Sequence, residues 1–301
     1  MRAITENAVI QIEVTNACWL KCANCTRHVG HHRKPFFMSL DQVSDAIDSL
    51  EGFKGTVGIM GGEPTLHPKF DQICELMQKK LPREKREFWT SGWQWSKKKD
   101  VIMATFDRER IQYNEHSTPE GKHTPLLVAI DDVVEDKKLM WEMIDNCWIQ
   151  NQWSAAITPK GGFFCEVAAS LDYLFDGPGG YKIEKGWWKK TPAQFQDQVK
   201  EYCKNCSGAL PMKVESDGCG GREKPAFDTI SERNLDRLKK VGSPKVQAGH
   251  YKKFDEKLDM EQIQKNAEDW NPSKFKPFNT HEPTDYEGKE KLVDISKSGK
   301  I

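Results

Sequence analysis

The stretch "EVTNACWLKCANCTRH" (Glu13–His28) carries three cysteines, Cys18, Cys22 and Cys25, at spacings of four and three. It overlaps "AVIQIEVTN" (Ala8–Asn16), whose mix of β-branched and polar residues predicts a strand ending in the cysteine loop. Four thiolates would close a tetrahedral zinc or iron–sulfur site, whereas three leave one position open. Zinc sites with an open position favour histidine and carboxylate ligands. A cubane fits better, because one loop reaches three of its irons and the fourth stays free for a ligand. A loop after the first strand also puts this centre at the C-terminal mouth of a parallel sheet, where α/β folds carry their chemistry.

Outward from the loop, strand and helix patterns alternate. "SLDQVSDAIDSL" (Ser39–Leu50) has apolar residues at helical spacing with Ser39 or Asp41 as cap. "GTVGIMGGEP" (Gly55–Pro64) is a strand run stopped by paired glycines, and "KFDQICELMQKKL" (Lys69–Leu81) is helical. "REFWTSGW" (Arg86–Trp93), "RIQYNEH" (Arg110–His116) and "PLLVAIDD" (Pro125–Asp132) read as three further strands, and "VEDKKLMWEMIDNC" (Val134–Cys147) as a helix. This rhythm indicates parallel βαβ units to about Cys147. Beyond it, "QWSAAITPKGGFFCEVA" (Gln152–Ala168) predicts a hairpin with Cys165 on its second strand. From about Pro225 the chain reads as a charged, solvated extension, partly helical near Asp228–Lys240; the alternative is a segment that wraps the barrel or closes over substrate.

The 301 residues hold 45 basic and 45 acidic side chains, so net charge gives no general pull toward nucleic acid or anionic membrane. No apolar run approaches membrane-spanning length and "MRAITENAVI" is not a signal peptide, so a cytoplasmic protein is expected. Nine cysteines in that setting point to metal or redox work rather than disulfides.

Cys-x3-Cys-x2-Cys after a first strand resembles the radical S-adenosylmethionine (radical SAM) superfamily. Two further elements support the likeness. "GGEP" (Gly61–Pro64) follows the second strand, where that family places a Gly-Gly-Glu sequence near the cofactor's methionine end, and "TSG" (Thr90–Gly92) ends the third. The resemblance implies that Cys18, Cys22 and Cys25 ligate a [4Fe-4S] cluster. It also implies that Gly61, Gly62, Glu63, Pro64, Ser91 and Asn24 adjoin S-adenosylmethionine. The glycines are expected to let the backbone approach the cofactor. One departure is Asn24, where the family usually has an aromatic residue supporting the adenine. The implied chemistry is one-electron cleavage to a 5′-deoxyadenosyl radical that takes hydrogen from an unactivated carbon, driven by an external flavodoxin- or ferredoxin-type reductant.

Cys147, Cys165, Cys203 and Cys206 form a second group that could ligate another cluster; from spacing alone a structural zinc reads as well. One branch of the superfamily carries such a module, called Twitch, after a partial barrel, which implies a second, auxiliary [4Fe-4S] cluster here. The expected architecture is thus α/β: a partial (β/α)6 TIM-like barrel over 1–147, a Twitch-like module over 148–222, and the charged extension over 223–301. Cys219, in "SDGCGG", reads as a spare thiol, an alternative ligand or, by resemblance to radical epimerases, a hydrogen-atom donor.

Glu115 and His116 at one strand end, and Asp131 and Asp132 at the next, are expected to face the barrel mouth and bind a polar substrate. His28, His31 and His32 read as a solvated loop. Trp93, Trp95, Trp187 and Trp188 read as core, and Cys74 as a buried small hydrophobe. The expected reaction is hydrogen abstraction from a small polar substrate with epimerisation through Cys219. Alternatives are dehydrogenation with the auxiliary cluster as electron acceptor, and radical modification of a peptide or a nucleotide, hypermodified DNA bases included. The non-enzymatic alternative is a zinc-binding interaction protein.

Overall fold

Alternation along Val9–Thr15 (β1) sends Ile10, Ile12 and Val14 into the main core beside Val43, Ile47 and Ile73, while Gln11 and Glu13 meet Arg27 on the opposite face. The computed structural model describes residues 1–114, 116, 122–152, 155–213, 215–216, 218 and 226–269. Glu115 and Cys219 lie outside them, as does the chain beyond 269.

After β1 come Leu40–Ser49 (α1), Thr56–Gly61 (β2), Phe70–Lys80 (α2), Arg86–Thr90 (β3), Trp95–Thr105 (α3), Ile111–Tyr113 (β4) and Lys122–His123 (β5). Ile130–Val133 (α4), Lys137–Asp145 (α5), Trp148–Gln152 (α6), Ala155–Thr158 (β6), Gly161–Phe163 (β7) and Glu166–Leu174 (α7) follow. The described chain closes with Gln196–Tyr202 (α8), Glu215–Ser216 (β8), Asp228–Ser231 (β9), Glu232–Lys240 (α9), Pro244–Gln247 (α10), Tyr251–Phe254 (β10) and Met260–Asp269 (α11). α1 begins where the sequence suggests. Gln42 N–H donates to Ser39 Oγ at 3.1 Å, and Ser39 N–H donates to Gln42 Oε1 at 2.9 Å. Ser39→Ala is expected to cost about 1 kcal/mol, read as a lowered urea midpoint.

The central sheet has six strands in the order β4-β3-β2-β1-β6-β7, parallel throughout except for the last pair. This is the parallel-dominated α/β sheet expected. The hairpin forms around Pro159 and Lys160, and its first strand pairs with β1, so it extends the central sheet. β5 and β8 form a separate antiparallel pair, and β9 and β10 a parallel one. Among the described residues, no helix is long and apolar enough to cross a membrane.

Three local expectations are corrected. "PLLVAIDD" is not a sheet strand: Leu127 makes one bridge to Ile230, and α4 starts at Ile130. Its residues Leu126–Ile130 are all buried, and a short apolar run reads the same in any fully buried segment. Asp131 and Asp132 therefore belong to α4 and pair with Lys137 and Arg233. Cys165 lies past β7, as the N-cap of α7. The extension is folded as far as 269: Ile230, Leu235, Leu238, Leu258 and Ile263 join the main core.

Candidate active site

Cys18, Cys22 and Cys25 line one pocket, open to solvent, at the C-terminal ends of β1–β4. Gly61, Gly62, Thr90, Ser91, Arg27 and His116 share its wall. The loop turns through Asn24 and His28, both in the left-handed region at φ 51° and 52°, which asparagine tolerates better than most residues.

The paired glycines have a physical cause within the chain itself, beside the one expected. A Cβ on Gly61 would sit 1.9 Å from the Thr15 carbonyl oxygen, and one on Gly62 2.2 Å from that of Ala17. Close packing of β2 against the root of the cysteine loop excludes side chains there, whatever the cavity holds. Gly62 N–H donates to Thr15 O at 2.8 Å and Glu63 N–H to Ala17 O at 2.7 Å, which locks the two segments together.

Glu63 is fully buried, and burial raises its carboxyl pKa, opposed by its hydrogen bonds. It accepts from Thr65 N and Oγ1, Thr90 Oγ1, Ser91 N and Ser91 Oγ, the last at 2.6 Å. Glu63 thus organises the β3 terminus that puts Ser91 in the wall, while Pro64 opens a short 3-10 turn behind it. Trp19 Nε1 donates to Ser91 Oγ at 2.8 Å, and its ring stacks on Trp93 with centroids 4.8 Å apart. Asn24 is bound away from this wall. Its side chain donates to Glu215 Oε2 at 3.1 Å and accepts from Thr229 N at 3.0 Å.

The histidines after the loop are not solvated. His28 and His31 are each 2% exposed; His28 Nδ1 bonds Ser170 Oγ and His31 bonds Ser243 and Asp228. Burial pulls the His28 pKa well down and lowers that of His32 to about 4. His116 does reach the site: its Nδ1 is 4.0 Å from Cys22 Sγ. His123, on β5, donates from Nδ1 to the Ala23 carbonyl at 2.7 Å and lines the same cavity.

An ion triad at the cavity floor was not anticipated from the sequence. Arg27, 2% exposed, lies 2.9 Å from Glu13 Oε1 through Nε and 3.2 Å from Glu166 Oε1 through Nη1. Two polar residues alternating through an apolar strand were the available signal for a partner on that face.

Cys147, Cys165, Cys203 and Cys206 line a second, small apolar pocket with Ile149, Phe164 and Val167. Burial pushes all four thiols up, and repulsion from neighbouring thiolates adds to the rise at Cys165, Cys203 and Cys206 (the last to about 12). Cys74 is buried in α2. Among the described residues, no three His, Cys, Asp or Glu side chains converge on the geometry of a single metal ion.

Residues 12–103, from β1 into α3, match the family model of the Radical SAM superfamily. That segment of the chain is similar to the radical SAM superfamily. No curated protein sequence matches. Among solved structures it is similar to BtrN in complex with AdoMet and 2-DOIA, at 16% identity and TM-score 0.43 over 71% of this chain and 92% of that one. It is also similar to selenomethionine BtrN in an open conformation, at 16% identity and TM-score 0.42 over 73% and 93%. Radical SAM proteins use a [4Fe-4S] cluster, S-adenosylmethionine and an external reductant. The first cavity fits such a group: three buried or half-buried thiols share one wall with room beside them.

Proposed function

We propose that this radical SAM enzyme abstracts hydrogen from a carbon of a small polar substrate and epimerises that centre. Cys18, Cys22 and Cys25 hold the cluster, and Gly61, Gly62 and Ser91 bound the space for S-adenosylmethionine. Together the two groups supply radical hydrogen-atom abstraction. The chain's own residues orient and enclose: Glu63 fixes Thr90 and Ser91, and His116 faces Cys22 across the cavity. His116 and the neighbouring Glu115 are assigned to substrate. Cys219 is assigned as hydrogen donor, the resulting thiyl radical returning to thiol with one electron from the external reductant and a proton from solvent, and one observation carries that role. β8 binds the cysteine loop through Glu215 and Asn24 and pairs with β5, whose His123 lines the cavity; Cys219 follows three residues after β8.

A second reading rests on the four thiols around the second cavity. They are assigned an auxiliary [4Fe-4S] cluster, fully ligated as four cysteines allow. Under this reading the reaction is a dehydrogenation: hydrogen-atom abstraction removes one electron from the substrate, a proton leaves to solvent, and a group held by these four thiols would serve as acceptor for the second electron.

Anaerobically reconstituted protein is expected to bind about eight irons, and to release 5′-deoxyadenosine when reduced with S-adenosylmethionine. Cys18→Ala/Cys22→Ala/Cys25→Ala should retain about four irons and lose that release, and alanines at the other four positions should also retain about four. Colourless, iron-free wild type would sink the proposal. With substrate in D2O, epimerisation places solvent deuterium at the attacked carbon, and Cys219→Ala abolishes it. A two-electron-oxidised product indifferent to Cys219→Ala favours dehydrogenation.

A further inference from the structure

The segment Asp228–Lys245, some 200 residues downstream, closes over the back of the cysteine loop. Asp228, 2% exposed, accepts the Asn24 N–H on one oxygen. Its other oxygen takes His31 Nε2 at 2.6 Å and the Lys245 ammonium at 2.8 Å. Lys245 is 4% exposed, and its Nζ also donates to the backbone carbonyl of Cys22 at 2.9 Å. Its own N–H bonds Gly30 O at 3.2 Å, and Ser243 Oγ bonds His31 Nδ1 at 2.7 Å.

A lysine is almost never this buried unless paired. The pair with Asp228 satisfies that need, but a buried ion pair adds little stability over an apolar pair of the same volume. The position of the ammonium is therefore the informative feature: it is bonded to the middle cysteine of the three, from the side away from solvent. Charges act strongly at such range in a site shielded from water. Reducing an iron–sulfur cluster adds one negative charge, and neighbouring charge and hydrogen bonding are among the levers that set its potential.

We infer that Lys245 and Asp228 are positioning residues that fix the Cys18–His31 loop and set, with opposite signs, the reduction potential of the cluster it holds. This rests on the reading that Cys18, Cys22 and Cys25 ligate that cluster. Lys245 makes reduction easier by offsetting the added charge, and Asp228 makes it harder.

The test is a redox titration of the reduced cluster's EPR signal in reconstituted protein at fixed pH, with iron content measured alongside. Lys245→Met should shift the midpoint to more negative potential, Asp228→Asn to more positive, and Lys245→Arg should stay close to wild type. Opposite shifts are the signature, since a purely structural role moves both variants the same way. Lys245→Gln, which keeps a polar contact to Cys22 O, replaces Lys245→Met if the latter loses iron. Unchanged midpoints, or midpoints that move the same way in Lys245→Met and Asp228→Asn, overturn the inference. Wild type without any EPR-active cluster instead sinks the underlying ligand assignment.

Discussion

Arg27→Met is expected to destabilise the protein by about 3–5 kcal/mol near pH 8, the cost of leaving buried charge unpaired. The guanidinium is the cation shared by Glu13 and Glu166, and it also donates to Gln11 Oε1, all inside the sheet's polar face. Burial lifts the Glu13 pKa from 4.5 to about 7, with Arg27 opposing the rise and Glu166 adding to it. Because the folded state holds this proton more tightly, Glu13's contribution is fully present below pH 4.5 and is lost as pH rises through about 7. Removing Arg27 removes the opposing attraction, so the gap between wild type and variant should widen with pH. Urea midpoints near pH 5, 6.5 and 8 read this directly; a gap independent of pH would refute the buried-charge account. Arg27→Lys should recover only part of the loss, since an ammonium cannot reproduce the fork that meets two carboxylates.

Gly62→Ala should reduce iron affinity by roughly 10–100-fold, the usual cost of disturbing the groups that orient metal ligands. The new methyl would lie 2.2 Å from Ala17 O and 2.9 Å from Asn16 O, both backbone atoms that a rotamer change cannot clear. The strand or the loop root must move, and overpacking of this kind costs about 1–3 kcal/mol. Iron per chain after reconstitution, compared with the urea midpoint, separates the two effects. Full iron loading with an unshifted midpoint would mean that the contact between β2 and the loop root is not rigid.

Much of this was legible because it is local. The β1–β4 strands and helices α1 and α2 follow short-range periodicity, while α3, whose apolar residues keep to no one face, was not anticipated; Ser39 with Gln42 writes its own cap. The cysteine spacing, "GGEP" and "TSG" lie at successive strand ends, so sequence order alone places them at one mouth. The two cysteine cavities were likewise anticipated by residue type. What escaped was non-local. Asp228 and Lys245 sit in a lysine- and aspartate-rich stretch whose composition suggests solvent, and only the fold brings them under the cysteine loop. His28 and His31 were misread for the same reason, since their partners lie 142 and 212 residues away. "PLLVAIDD" failed differently: its apolar run carries no period to separate a strand from an irregular core segment.

The bond between Lys245 and Cys22 spans 223 residues of chain. At ribosomal rates of 5–20 residues per second, roughly 10–45 s separate the synthesis of the two ends. For that interval the nascent cysteine loop has no strap behind it, so the backing of Cys22 is completed only after all six strands of the central sheet have been synthesised. A chain stopped short of Asp228 never acquires it.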